Sequence, residues 1–182
     1  MVKPKNDEEI IERMKDPAKR EKAFEMIVNQ YSESLYWTIR RIVTYHDDAD
    51  DVLQNTFIKA WTSISSFRGE SKLSTWLNKI AYRESLTFLE KQRQSISLDD
   101  TEGGIANTLE GDPYFDGDET QKMLEEALNT LPAKQKAVFT MKYFEEKKYE
   151  EIAEITGTSV GALKASFHIA VEKITNFFNS RD

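Results

Sequence analysis

The sequence predicts an all-α protein: two small helical domains joined by an acidic flexible linker, the second domain carrying a helix-turn-helix. Three observations predict it. Apolar residues recur at helical spacing through several long stretches, and nothing alternates convincingly with period two. Periodicity then vanishes between Arg93 and about Thr120 before returning. At 182 residues the chain is long enough for a real core.

Taken in order, residues 1–22 are charged and weakly periodic, predicting a short helix with a frayed start. Phe24, Ile27, Val28, Tyr31, Leu35, Ile39 and Ile42 mark an amphipathic helix ending near Tyr45. The next helix, reaching about Ser63, opens on four acids: Asp47, Asp48, Asp50 and Asp51. Its apolar stripe is Ala49, Val52, Leu53, Thr56, Phe57, Ala60, Trp61 and Ile64. Acids suit the positive end of a helix dipole, with Asp47 a candidate N-cap. Capping accounts for Asp47 and part of Asp48, but not for a surplus that continues to Asp51 with Gln54 beyond it. The surplus predicts a docking surface for a basic partner. A loop at 65–72, punctuated by Gly69, leads to a third long helix with Leu73, Trp76, Leu77, Ile80, Ala81 and Phe88 on its periodic face.

The linker is where the chain keeps its negative charge. Eight acids and no Lys or Arg lie between Gln94 and Gln121, together with four of the seven glycines. Self-repulsion extends such a segment and leaves it without a core of its own. The formal charge of −7 argues against a nucleic-acid partner only until the eight are set aside, leaving 24 acids (32 less 8) against 25 basic residues. The flanking parts are free to meet a polyanion.

The second domain begins near Thr120. Met123, Leu124, Ala127, Leu128 and Leu131 form one helix face, Pro132 starts the next helix, and Ala137, Val138, Met141 and Phe144 fill it. A short helix containing Ile152 and Ala153 stops at Gly157, placed for a left-handed C-cap. Thr158 or Ser159 caps a final helix with a stripe of Val160, Leu163, Phe167, Ala170, Ile174 and Phe177. Helix, glycine turn and helix make a helix-turn-helix.

Catalysis finds little support. The chain has no cysteine, so disulfide and thiolate chemistry are excluded, and it reads as a soluble cytoplasmic protein without a signal peptide or membrane span. His46 beside Asp47 and Asp48 reads as a helix entry rather than a metal site or general base, and His168 lacks an orienting carboxylate. No phosphate-binding glycine loop or nucleophile motif is present. No cofactor, metal or catalytic residue is therefore expected. Single-strand chemistry fares better. Phe67, Trp76, Tyr82 and Phe88 interleave with Arg68, Lys72, Lys79, Arg83, Lys91 and Arg93, and bases stack on rings while cations hold phosphates. The competing reading makes Trp76 and Phe88 core and the cations an ordinary solvated face.

Three motifs together resemble the extracytoplasmic-function (ECF) group of bacterial RNA polymerase sigma factors, in the sigma-70 family. They are the run from Asp48 to Phe57 with Trp61; Phe67-Arg68-Gly69 followed by Ser74-Thr75-Trp76-Leu77; and Leu131-Pro132 with Tyr149-Glu150-Glu151-Ile152-Ala153 and Ser159-Val160-Gly161. The resemblance implies residues 1–93 as a region 2-like domain, 94–120 as linker and 121–182 as a region 4-like domain. It implies that Asp48, Asp50, Asp51, Gln54 and Asn55 dock on the β′ clamp of core RNA polymerase. Phe67, Arg68, Gly69, Lys72, Trp76, Lys79 and Arg83 would engage the promoter −10 element and assist melting. Ser159, Gly161, Ala162, Lys164, Ala165 and His168 would read the −35 duplex, with the β flap as a further polymerase contact and the linker threading toward the RNA path. An anti-sigma protein is an implied partner; membrane insertion is not.

The chain also departs from that pattern. Arg83 and Thr87 stand where Asn and Asp are frequent, and Ser166, Ile169 and Val171 stand where arginines are common. Residues 122–182 carry nine basic and nine acidic side chains, so weak −35 binding by the isolated chain is expected. Two other readings remain at this level: a stand-alone helix-turn-helix regulator, and a sigma-like decoy that binds polymerase without initiating.

Overall fold

The computed structural model describes residues 6–98 and 118–181, all of whose regular elements are helical. The first domain comprises α1 (Asp7–Lys15), α2 (Arg20–Val43), α3 (His46–Ser63) and α4 (Leu73–Leu98). Helix α2 is the pillar, because α1, α3 and α4 all pack on it. Its apolar stripe is the reason: Ala23, Ile27, Tyr31, Leu35, Ile39 and Ile42 recur every three or four residues and are all buried. Helix α1 is tied down by Asp7, whose carboxylate accepts from Gln30 (2.8 Å) and the Tyr31 hydroxyl (2.6 Å). Burial and that acid together push the Tyr31 phenol well above its usual range.

The α3 stripe divides in two. Ala49, Val52, Thr56, Ala60 and Ile64 are buried, whereas Leu53 and Phe57 are half-buried and Trp61 is 43% exposed. Thr56 tolerates the core because its hydroxyl donates to the Val52 carbonyl at 2.8 Å. Asp47 is not the N-cap. Helix α3 starts two residues earlier than that cap would place it, at His46, with Tyr45 in extended backbone at the cap and Asp47 inside the first turn. The His46 ring anchors that earlier start through a 2.5 Å hydrogen bond between Nδ1 and the Tyr36 hydroxyl.

The second domain comprises α5 (Glu119–Asn129), α6 (Ala133–Phe139), α7 (Tyr149–Thr156) and α8 (Val160–Asn179). Asp118 caps α5 through the Gln121 amide at 2.9 Å. The stretch read as one helix through Phe144 changes character: after Phe139 it widens into a π-turn over Thr140–Phe144. Gly157 closes α7 in the left-handed conformation (φ 71°). Of the two candidate caps for α8 it is Ser159 whose hydroxyl accepts the Ala162 amide. The helix-turn-helix stands as expected.

One boundary differs from the sequence reading. Helix α4 runs five residues past Arg93, and its last turns are exposed. The acidic segment 99–117 lies outside the described residues. The larger surprise is that the two domains share one core. Ala137, Val138, Met141, Ile152, Ile155 and Leu163 belong to the same buried cluster as the α2 and α4 stripes. A smaller cluster of Ala127, Leu128, Leu131, Phe139, Ala170 and Ile174 serves the second domain alone.

Candidate functional site

Helical geometry sorts the acids of α3. Asp50, Asp51, Gln54 and Asn55 are all exposed, one turn after another on a single face. Asp48 sits at its margin, half-buried, beside Gln92 of α4, which hydrogen-bonds its carboxylate. Partial burial pushes the Asp48 carboxyl above its usual range; Asp51 pushes it further, Gln92 opposes, and Asp47 adds to the rise. The face thus concentrates like charge next to a partly buried carboxylate. The Asp50 carboxylate lies 3.3 Å from His46 Nε2. Beyond the acids the same side of the helix exposes Ile58 (60%), which charge-based reasoning passed over. An apolar residue four places past Gln54 was the available signal, since the core stripe does not need it.

The second candidate set is also brought together. Lys72, Trp76, Lys79 and Arg83 follow each other at three- and four-residue steps along the start of α4, so they form a stripe. Phe67, from the preceding loop, leans on Trp76 with ring centroids 5.0 Å apart and planes at 44°. Gly69 turns the loop with φ 76°, which only glycine adopts at little cost. Arg68, Gly69, Lys72 and Arg83 are exposed, while Phe67, Trp76 and Lys79 are half-buried. Both sequence readings hold part of the truth: the rings pack on the core and still show an edge to solvent. Tyr82 is different. It is buried, with its phenol raised by that burial, and cannot serve as a stacking platform. Lys59 of α3 pairs with Glu84 at 3.2 Å and fixes α4 against the acidic helix.

The third set lies at the front of α8. Ser159, Gly161, Ala162, Lys164, Ala165 and His168 are all exposed. Nothing lies within 4 Å of a side chain built on Gly161, so another surface can approach the helix closely there. Lys164 leans over the Tyr149 ring of α7, 5.8 Å from its centroid. Where arginines would be common, Ile169 and Val171 are exposed instead and Ser166 is half-buried.

Comparison with known proteins addresses the two domains separately and the chain as a whole. Residues 27–95 match the sigma-70 region 2 family and residues 121–174 match sigma-70 region 4. An ECF RNA polymerase sigma-E factor of Haemophilus influenzae is 32% identical, with 97% of each chain covered. The RNA polymerase sigma factor YlaC of Bacillus subtilis is 34% identical over 84% of this chain and 90% of that one. Among solved structures, the sigma factor RpoE of Bartonella quintana, in complex with the anti-sigma factor NepR, superposes with a TM-score of 0.71. It is 24% identical and covers 87% of this chain and 98% of its own. CnrH, in complex with the cytosolic domain of CnrY, gives a TM-score of 0.69 at 17% identity over 97% and 99% of the two chains. These two likenesses concern the fold.

Proposed function

The chain belongs to the ECF group of RNA polymerase sigma factors, and from that premise we propose how its surfaces divide the work of promoter-specific initiation. Residues 1–93 and the α4 extension form the unit that binds core polymerase and the −10 element; residues 121–182 form the −35 reader, and 94–120 connects them. Asp48, Asp50, Asp51, Gln54 and Asn55 dock on a basic surface of core polymerase, the β′ clamp. The observation that carries this is the exposed acidic face of α3, at whose margin Asp48 is raised by partial burial and further by Asp51 and Asp47. A cationic partner relieves that repulsion, so association is fast and salt-sensitive.

On the neighbouring helix, Trp76 and Phe67 offer ring edges to an unstacked base while Arg68, Lys72, Lys79 and Arg83 hold the strand's phosphates. Extracting a base costs a few kcal/mol, roughly, and a ready aromatic site offsets it. The α8 front enters the −35 major groove, where small side chains permit close approach and Lys164 contacts phosphate. The sigma family directs a polymerase rather than catalysing; this chain supplies positioning and melting, in the cytoplasm where polymerase is. No described helix is long and apolar enough to cross a membrane. The solved RpoE in complex with the anti-sigma factor NepR supports a partner of that kind here.

Run-off transcription with reconstituted holoenzyme on genomic fragments tests the whole reading. Transcripts starting at defined positions are the expected result. Core binding without any promoter-specific transcript would leave the decoy reading standing instead.

A further inference from the structure

Helix α8 carries no arginine, and its two lysines are Lys164 and Lys173. Lys173 is turned toward α6, where its ammonium donates to Gln135 at 3.1 Å. Lys164 leans back over the Tyr149 ring of α7. In place of cations, the outer side of α8 offers carbon. Ile169 is 41% exposed, and Ala165 and Ala162 lie open to solvent one and two turns before it. At about 100° per residue, positions 162, 165 and 169 fall in one line, turned away from the buried Leu163, Ala170 and Ile174. Gly161, Lys164 and His168 make a second exposed line beside it.

A single exposed isoleucine is ordinary on a protein surface. Here it stands in register with two other apolar groups on the second helix of a helix-turn-helix, the helix that meets base edges. The meaning of that register rests on the −35 role proposed above for residues 121–182. In the major groove, guanine, adenine and cytosine present only hydrogen-bonding groups, whereas thymine adds a methyl group that an apolar side chain can cover. Phosphate contacts from the Lys164 line position the helix but carry no sequence information.

Length and shape agree with this ligand. Seven residues separate Ala162 from Ile169, about 10.5 Å of helix, which matches roughly three base pairs at about 3.4 Å each. A straight helix leaves a curved groove toward its far end, so the longer isoleucine side chain stands where the gap is wider. The open space around Gly161 lets the first turn approach closely. Glu172 is exposed three residues past Ile169, and its carboxylate repels phosphates and ends the duplex-facing segment there.

We propose that Ile169, in line with Ala165 and Ala162, makes α8 a reader of thymine C5-methyl groups, and that Ile169 sets the preference at the last of about three consecutive base pairs of the −35 element. Specificity there comes from apolar contact instead of guanidinium–guanine pairing.

The test uses holoenzyme on a promoter identified by run-off transcription. Each thymine of the −35 element, on either strand, is replaced in turn by deoxyuridine, which keeps every hydrogen-bonding edge and lacks only the methyl group. Binding falls about fourfold at each contacted pair, the worth of one buried methyl-sized group. Ile169→Ala weakens binding to the thymine duplex by a similar factor and erases the thymine–uracil difference at one end pair alone, a coupling that a double-mutant cycle isolates. Val171→Ala removes a side chain of like exposure (39%) on the other flank of the helix and leaves every thymine response in place. Circular dichroism and an unchanged urea midpoint confirm that both variants keep their fold. A −35 element without thymine, binding indifferent to uracil, or an Ile169→Ala loss equal on the two duplexes overturns the proposal while promoter-specific transcription stands. Absence of any promoter-specific transcript overturns the −35 role, and the proposal with it.

Discussion

The α3 entry and the α8 front are both exposed helical faces, yet they are built in opposite ways. The first concentrates like charge beside Asp48, whose carboxyl is raised by partial burial and then by Asp51 and Asp47. The second presents small side chains around one lysine and one histidine, in a domain of zero net formal charge from 122 to 182. On the proposed division of work, affinity falls to the first domain and register to the second. Charge steers a protein partner from a distance, whereas a nearly neutral front gains little from phosphate alone. In that proposal, docking through α3 would raise the local concentration of the second domain, so that weak contacts there would suffice.

That contrast can be broken at several points. The largest effect belongs to the aromatic stripe between the two faces: Trp76→Ala removes a stacking surface worth roughly 1–3 kcal/mol per base. Open-complex formation, followed by permanganate reactivity, falls about tenfold or more, and Arg68→Ala with Lys72→Ala impairs melting in the same direction. Core affinity changes little in either variant. Equal loss of core binding would mean that the stripe only supports the fold.

Ser159→Ala removes the side-chain cap of α8 and costs about 1 kcal/mol of stability, read as a lower urea midpoint. Smaller again is Lys164→Ala, which reduces the salt slope of holoenzyme binding to promoter DNA by about one, the signature of one phosphate contact. An unchanged slope would place Lys164 off the duplex.

The subtlest test sets stability against function at Asp48. Its folded pKa is raised, so the native state binds protons more readily than the unfolded chain, and ionising Asp48 above the unfolded value destabilises the fold. Asp48→Asn therefore melts at a slightly higher temperature than wild type at neutral pH. The advantage fades as pH falls below about 4, where both folded and unfolded forms of Asp48 are protonated. The same substitution weakens core binding, as expected where a functional surface costs stability.

The periodic parts of the molecule were legible in the sequence because burial follows helical spacing. Ile27, Leu35, Ile39, Leu77 and Leu163 occupy the positions their pattern assigns. Gly157 and Ser159 announced the turn through backbone and capping chemistry, which are local. What stayed hidden was set by tertiary contact. The Tyr36–His46 hydrogen bond moves the α3 start, and the fate of Tyr82 depends on what packs over α4. The burial of Lys136 is set by Asn129 at the end of α5 and Thr44 at the end of α2, both of which its ammonium meets only in the folded chain. The joined core could not be read at all, since an acidic segment between two periodic regions signals separation and says nothing about reassociation.

Whether the acids of α3 form a docking surface or only excess capping charge is decided by one titration. Core polymerase is added to labelled wild type and to the Asp50→Lys, Asp51→Lys variant at low and moderate salt. A docking surface requires about ten- to hundredfold weaker binding of the variant, a loss that shrinks as salt rises, and helical content unchanged by circular dichroism. Equal affinity of the two proteins at low salt would contradict a docking role for that face.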